Sequence, residues 1–270
     1  MLPEAVLITM LSRFQNSCFT LIGDSKQLPP YVGTQAIPLA VDLCSQSALD
    51  IVNRRGNTPT CSIQIVYRPH VRMMELNSEV LYNGTLICAT PAERRMALLQ
   101  RMHMPNPSIP VAFIDVRGEA IQSVTRSYRN EAEAQAVTVP VRKLLSKGFH
   151  GQEIMVIALY KDQKLLCEQL LASMGVSVGT VDSEQGAEQS VVILCTTRTT
   201  VPSSSSLAFF CDPRRLNVAL SRACDGLFVT GSSSCLRRLP IWENVIQWCE
   251  SHKLIVPMEF FDDLLPYPQN

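Results

Sequence analysis

The sequence predicts an α/β domain built on a parallel sheet with flanking helices, and three observations carry that expectation. Its apolar runs are short, β-branched and unalternating, the pattern of strands buried on both faces. Amphipathic helical patterns stand between those runs, as a parallel sheet requires. Several runs end in Gly, Asp or Arg, which fits ligand sites at the carboxyl ends of such strands.

The elements follow in order. Residues 18–22 (Cys-Phe-Thr-Leu-Ile) form the first run, and residues 62–66 (Ser-Ile-Gln-Ile-Val) the second. Further runs occupy residues 111–114, 154–158, 176–181, 191–194 and 227–230. A helix is expected over residues 131–147, with Ala134, Val137, Val141, Leu144 and Leu145 at helical spacing. A second covers residues 161–174, with Leu165, Leu166, Leu170 and Leu171 on one face and Gly175 as its stop. A third covers residues 242–252. Residues 91–110, rich in Met and Pro, read as a surface connection, and residues 201–206 as a flexible serine loop.

Composition narrows the function classes. The 24 Lys and Arg balance 24 Asp and Glu, so the net charge is zero. That excludes a histone-like binder and an acidic tail, but a local basic stripe still suffices for nucleic acid. Ten Cys never stand closer than eleven positions apart, so no zinc-ligand spacing exists, and no metal ligands are assigned. Without a signal peptide or a run of 18 apolar residues, a cytoplasmic or nuclear protein with reduced thiols and no membrane partner is expected.

Four segments carry candidate chemistry. Gly23-Asp24-Ser25-Lys26-Gln27 leaves the first run, and its plain reading is a strand-to-loop turn stiffened by Pro29 and Pro30. Tyr67-Arg68-Pro69-His70 leaves the second. Arg68 could grip a phosphate there or serve as a surface ion-pair residue. Asp182 and Gln185 have capping-box spacing, which marks either a helix start alone or a helix start that also binds phosphate or ribose. Arg215 and Arg222 lie seven apart, which on one helix places them on one face.

Taken in this order, the segments resemble superfamily 1 helicases of the Upf1-like branch, typified by the nonsense-mediated-decay RNA helicase. Residues 23–30 are similar to motif III, residues 67–70 to the Tyr-Arg-x-His element, and residues 157–163 to the Thr-Pro-Tyr-x-x-Gln motif. Residues 180–188 are similar to motif V and residues 215–223 to motif VI. The resemblance implies a RecA-like second helicase domain over residues 57–250, preceded by a remnant of the first RecA-like domain over residues 1–56 and followed by a tail over residues 251–270.

It also implies roles. Gln27, Arg68 and Arg222 would be catalytic, Gln27 sensing the γ-phosphate and the two arginines stabilising the transferring phosphoryl group. Gly23, Asp24, Gln27, Arg68, Glu188 and Arg222 would face ATP and its Mg2+. Tyr160, Gln163, Thr180, Ser183 and Gln185 would face single-stranded RNA or DNA. Two departures weaken the strand contact: Ala158-Leu159 replaces Thr-Pro, and Ala187 stands where Arg is common. No G-x-x-x-x-G-K-[ST] occurs, nor a strand-end Asp-Glu for magnesium. The chain is therefore expected to hydrolyse ATP only with a P-loop-bearing domain or partner. The alternative is a non-catalytic helicase-like module that binds protein or nucleic acid. In the remnant, Val6, Leu7, Ile8, Leu11, Phe14, Leu39, Val41 and Leu43 would lack most of the burial that a complete domain supplies.

Overall fold

The computed structural model describes residues 2–30, 46–91, 93–201 and 204–262. It divides into two compact units, Met1–Ile63 and Gln64–Asn270. In the first unit, helix α1 (Glu4–Arg13) packs on helix α2 (Ala48–Arg55). The Ser47 hydroxyl caps α2 by accepting from the Leu49 N–H, and Gly56 ends it in the left-handed region at φ 69°.

Residues 18–22, expected as a strand, are not one. A strand persists only where a neighbour takes its N–H and C=O groups. Among the described residues of this unit, the sole bridge joins Pro3 to Ser47. Val6, Ile8, Leu11 and Phe14 are exposed as expected, whereas Leu7 is buried. Residues 39, 41 and 43 lie outside the described residues.

The second unit begins with β1 (Ile65–Val66), α3 (Val71–Leu81), β2 (Ile87–Cys88), α4 (Ala97–Arg101), β3 (Val111–Asp115), β4 (Ile121–Gln122) and β5 (Tyr128–Arg129). Then come α5 (Glu131–Ser146), β6 (Ile154–Ala158), α6 (Lys161–Leu171), β7 (Ser177–Thr180) and β8 (Gln189–Cys195). The chain continues through α7 (Ser204–Phe210), α8 (Pro213–Leu220), β9 (Ala223–Gly231), α9 (Ser233–Leu236), α10 (Pro240–Ser251) and β10 (Ile255–Pro257).

Six strands form one sheet in the order β10-β3-β9-β8-β6-β7, and every pairing in it is parallel. Alternate residues leave opposite faces of a strand. Ala112, Ile114, Ile154, Val156, Val191, Ile193 and Phe228 pack with Val137, Val141 and Leu144 of α5 in one cluster. Their neighbours Val111, Phe113, Met155, Ile157, Val192, Leu194, Leu227 and Val229 are equally buried. Both faces are therefore covered, which is why the strands read as unbroken apolar runs.

The structure corrects four further expectations. The run at 62–66 contributes only Ile65–Val66, which pairs with β2 in a separate two-stranded sheet. The sixth strand is β10, within the segment assigned to a tail, and Phe261 just beyond it is buried. Residues 91–110 are not a surface connection. Leu98 on α4, with Met102, Met104 and Ile109, is buried in the core. Gly226 in β9 makes this possible, because any Cβ there would collide with the Leu98 side chain. Part of the serine loop, residues 204–206, belongs to α7. No helix among the described residues is long and apolar enough to cross a membrane.

Candidate functional site

Two polar clusters occupy opposite ends of the sheet in the second unit. At the amino ends of β8 and β9, the Gln189 N–H donates to the Arg222 carbonyl at 3.1 Å, and the His70 N–H to the Cys224 carbonyl at 2.9 Å. These bonds bring the Tyr-Arg-x-His segment, the end of motif V and the end of motif VI together. Arg68 Nη1 donates to Glu188 Oε2 at 2.8 Å, while Nη2 donates to the Ser221 carbonyl. The Arg68 Nε is buried without a partner. His70 caps α3, its Nδ1 accepting from the Arg72 N–H at 3.2 Å. Burial, then the Arg72 charge, lowers its pKa, against a smaller pull upward from Asp225.

Arg222 lies deeper. Its Nε donates to the Val218 carbonyl at 3.0 Å, Nη1 to the Ala187 carbonyl at 3.1 Å and Nη2 to the Ser221 hydroxyl at 2.9 Å. Burial lowers its pKa, and the neighbouring Arg68 charge lowers it further, partly offset by Glu188. In this arrangement Arg222 braces motif V against motif VI, while the Arg68 side chain keeps 36% of its surface exposed. Arg215 and Arg222 do not share a helix face. α8 ends at Leu220, so Arg222 falls beyond its cap, and Arg215 instead pairs with Asp182 at 2.9 Å and Asp212 at 3.2 Å.

Motif V runs from the other end of the sheet. It leaves β7 at Thr180, and residues 181–186 are turns, not the helix start that Asp182 and Gln185 suggested. The Thr180 N–H donates to the Ser183 hydroxyl at 2.9 Å, and that hydroxyl donates back to the Thr180 carbonyl at 3.0 Å. This local bonding satisfies the chain without a helix. Ser183 and Gln185 are exposed there. Tyr160 follows β6, and its hydroxyl is buried; burial pushes it up to about 12, with the charge of Arg198 and a hydrogen bond from it pulling back.

Gln163 is not at the surface. It is fully buried on α6, where its Oε1 accepts from the Asn130 N–H at 2.7 Å. Its Nε2 donates to Glu133 Oε2 at 2.9 Å and to the Asn130 carbonyl at 3.2 Å. As placed, it cannot touch a strand and instead ties α6 to α5.

Its partner Glu133 is the residue that sequence reasoning missed. Glu133 Oε1 accepts from the N–H groups of Thr196 and Thr197 at 2.8 and 3.0 Å and from the Thr230 hydroxyl at 3.2 Å. Burial pushes its carboxyl up to about 7. The available signal was Asn130, whose side chain caps α5 by accepting from the Glu133 N–H at 3.1 Å. That spacing marks a helix start and says nothing of burial.

Gly23, Asp24 and Gln27 lie in the first unit. A Cβ on Gly23 would come within 2.7 Å of Leu49, and the Asp24 side chain and carbonyl accept from the N–H groups of Lys26 and Gln27. Among the described residues, no group of three or more His, Cys, Asp or Glu could hold a metal ion.

A sequence family described as an AAA domain matches residues 44–234. An uncharacterized ATP-dependent helicase of Caenorhabditis elegans is 30% identical over 94% of this chain and 17% of its own length. A 5'-3' DNA helicase of Mus musculus is 30% identical over 93% of this chain and 13% of its own. The regulator of nonsense transcripts 1 of Caenorhabditis elegans is 30% identical over 87% of this chain and 22% of its own. The chain thus spans about a fifth or less of these three relatives.

Proposed function

The chain belongs to the AAA domain family, as a superfamily 1 helicase domain of the Upf1 type, and on that premise we propose that it is the C-terminal motor half of an ATP-dependent helicase. The observation that carries this reading is the convergence of Arg68 and Arg222 on Ser221, with Glu188 beside Arg68. The buried, unpartnered Arg68 Nε fits a phosphate oxygen. A P-loop-bearing domain over which this edge closes would supply the nucleotide and the magnesium ligands.

Arg68 then stabilises charge on the γ-phosphoryl oxygens, and nucleotide arrival exchanges its Glu188 partner for phosphate. Freed, Glu188 is an acceptor for a ribose hydroxyl. Arg222 keeps motif V and motif VI in register, so that a change at the nucleotide passes along residues 181–188 to the opposite sheet end. There Tyr160, Thr180, Ser183 and Gln185 face single-stranded RNA or DNA. The domain is RecA-like, and it runs on past residue 250 to include the sixth strand, β10.

The chain alone should show no ATP turnover, with or without single-stranded RNA. Joined to a P-loop-bearing first helicase domain of a relative, it should hydrolyse ATP in a strand-stimulated manner. Arg68→Ala should cut that rate on the order of 10³-fold, as for other arginine fingers. A joined protein that folds and binds ATP but is indifferent to Arg68→Ala overturns the proposal.

A further inference from the structure

Glu133 stands in the first turn of α5 with donors from three other segments aimed at its carboxyl. Its Oε1 accepts from the Thr196 and Thr197 N–H groups and the Thr230 hydroxyl, and its Oε2 accepts from the Gln163 amide. The Thr196 N–H is shared with the Thr230 carbonyl at 3.1 Å, so among the described residues the Thr197 N–H is the one that rests on Glu133 alone. The backbone it grips there is strained. Thr197 has φ 69°, in the left-handed region that a β-branched residue avoids. It is the centre of a three-residue turn, closed by the Arg198 N–H donating to the Thr196 carbonyl at 2.8 Å. With that sign of φ the turn is of the rare, strained kind. Such a conformation persists only where its surroundings impose it.

The turn aims Arg198. The guanidinium carbon lies 4.0 Å from the centre of the Tyr128 ring, and the side chain hydrogen-bonds the Tyr160 hydroxyl. The Thr199 hydroxyl, next along the chain, accepts from the Ala120 N–H at 3.1 Å. The end of β8 is thereby tied to the end of β6, to β5 and to the segment that leads into β4.

The carboxyl charge makes the grip strong, because hydrogen bonds to an ionised acceptor are roughly twice as strong as neutral ones. A protonated carboxyl brings its own donor among these donors. Thr230 can receive it, since its hydroxyl also reaches the Leu194 carbonyl at 3.3 Å and can turn fully to that acceptor. The neutral form is thus accommodated, but it holds the two threonine amides less firmly. The groups around the carboxyl keep their own states. Cys195 of β8 stays a thiol, held well above its ordinary value by a hydrogen bond with Cys167 of α6 and by burial. Gln163 of α6 and Thr230 of β9 do not titrate, Glu131 on α5 itself is exposed, and Arg198 turns to Tyr128 and Tyr160. Burial pushes Glu133 up to about 7, so its change of state falls near neutral pH.

We propose that Glu133 is a proton-operated latch: as a carboxylate it holds the strained turn at Thr197 that aims Arg198 at Tyr128 and Tyr160, and on taking up a proton it lets that turn relax. The latch does not depend on what this sheet end binds. Thr180, which ends β7, pairs with Ala158 two residues before Tyr160, so the turn shapes the same end as motif V. A ligand that takes the latched form is bound more weakly as pH falls through about 7, since proton and ligand then oppose each other.

The test follows amide hydrogen exchange in the full chain labelled with 15N, at about pH 8 and about pH 5.5, each rate taken relative to an unstructured peptide at the same pH. The Thr197 amide reports the turn, and the Ile193 amide, mid-sheet, reports the fold. On going to the lower pH, Thr197 protection should fall about 10-fold. Ile193 protection should hold or rise, because neutralising a buried carboxylate favours the folded chain. Glu133→Gln is uncharged at both pH values, so its Thr197 protection should be low throughout and change less than about 2-fold. Thr197→Gly takes the left-handed backbone without strain, so the turn persists under the weaker grip and the acid loss at residue 197 should shrink below about 3-fold.

If Thr197 and Ile193 protection rise or fall together in wild type, Glu133 is a packing residue and the latch is overturned. An acid loss at Thr197 that survives undiminished in Glu133→Gln belongs to another group, and the latch is overturned again. Should Glu133→Gln fail to fold, Thr197→Gly decides. An acid loss there that stays at about 10-fold shows that the proton does not release a strained turn, and the proposal falls.

Discussion

Replacing Glu133 by Gln should flatten the pH dependence of this protein's stability. The carboxyl sits fully buried at the junction of α5, α6, β8 and β9, and burial pushes it from 4.5 up to about 7. The Thr197 and Thr196 N–H groups and the Thr230 and Thr197 hydroxyls pull it back only in part. An acid whose folded-state value is raised holds its proton more tightly folded than unfolded. The unfolded chain therefore releases that proton first, and stability falls as pH climbs from about 4.5 to about 7, then levels off. The gap between those values corresponds to about 3 kcal/mol, of which roughly 2–3 kcal/mol is lost between about pH 5 and pH 8.

Urea unfolding of wild type and Glu133→Gln at both pH values measures this directly. The variant carries its own penalty, because a Gln amide placed toward the Gln163 Nε2 sets donor against donor. That penalty is nearly the same at both pH values and cancels in the difference. Wild type should lose roughly 2–3 kcal/mol more than the variant between the two conditions. Parallel losses in the two proteins would show that Glu133 keeps an ordinary value and that the burial argument is wrong.

Gln163→Leu keeps the volume but strands the Asn130 N–H and Glu133 Oε2, while the Asn130 carbonyl keeps the Ala134 N–H, so thermal or urea unfolding should show a loss of about 2–4 kcal/mol. The two motor arginines should separate by the same assay: Arg68→Ala, in a half-exposed pair with Glu188, should cost under about 1 kcal/mol. Arg222→Ala, which removes three hydrogen bonds from a buried side chain, should cost about 2–4 kcal/mol. In hydrogen exchange, amides of residues 19–22 should exchange far faster than those of residues 191–194, since the former have no ladder partners among the described residues and the latter sit mid-sheet. Equal protection would contradict the absence of a strand there.

The second unit's parallel sheet was legible in the sequence because burial on both faces writes itself as an unbroken apolar run. Residues 111–114, 154–158 and 191–194 needed no partner information to be read as strands, and the helices over residues 131–147 and 161–174 declared themselves by period. The motif segments were legible as well, because their residue types and order survive without geometry. What the sequence alone could not decide was which groups face which. Residues 18–22 have the same apolar character as residues 154–158 but, among the described residues, no strand to pair with, so the latter is a strand and the former is not. Ile255–Pro257 is too short to announce itself, and it becomes a strand because the open edge of β3 receives it. Gln163 was expected to face a nucleic-acid strand and Glu133 carried no expectation, while Asp182 and Gln185 read as a helix start. The first pair is buried, and the second lies in a turn because Thr180 and Ser183 satisfy each other. Arg198 carried no motif at all in that reading. Burial, unpaired donors and a raised carboxyl belong to contacts between segments far apart in the chain. They come into being only when the sheet brings those segments together.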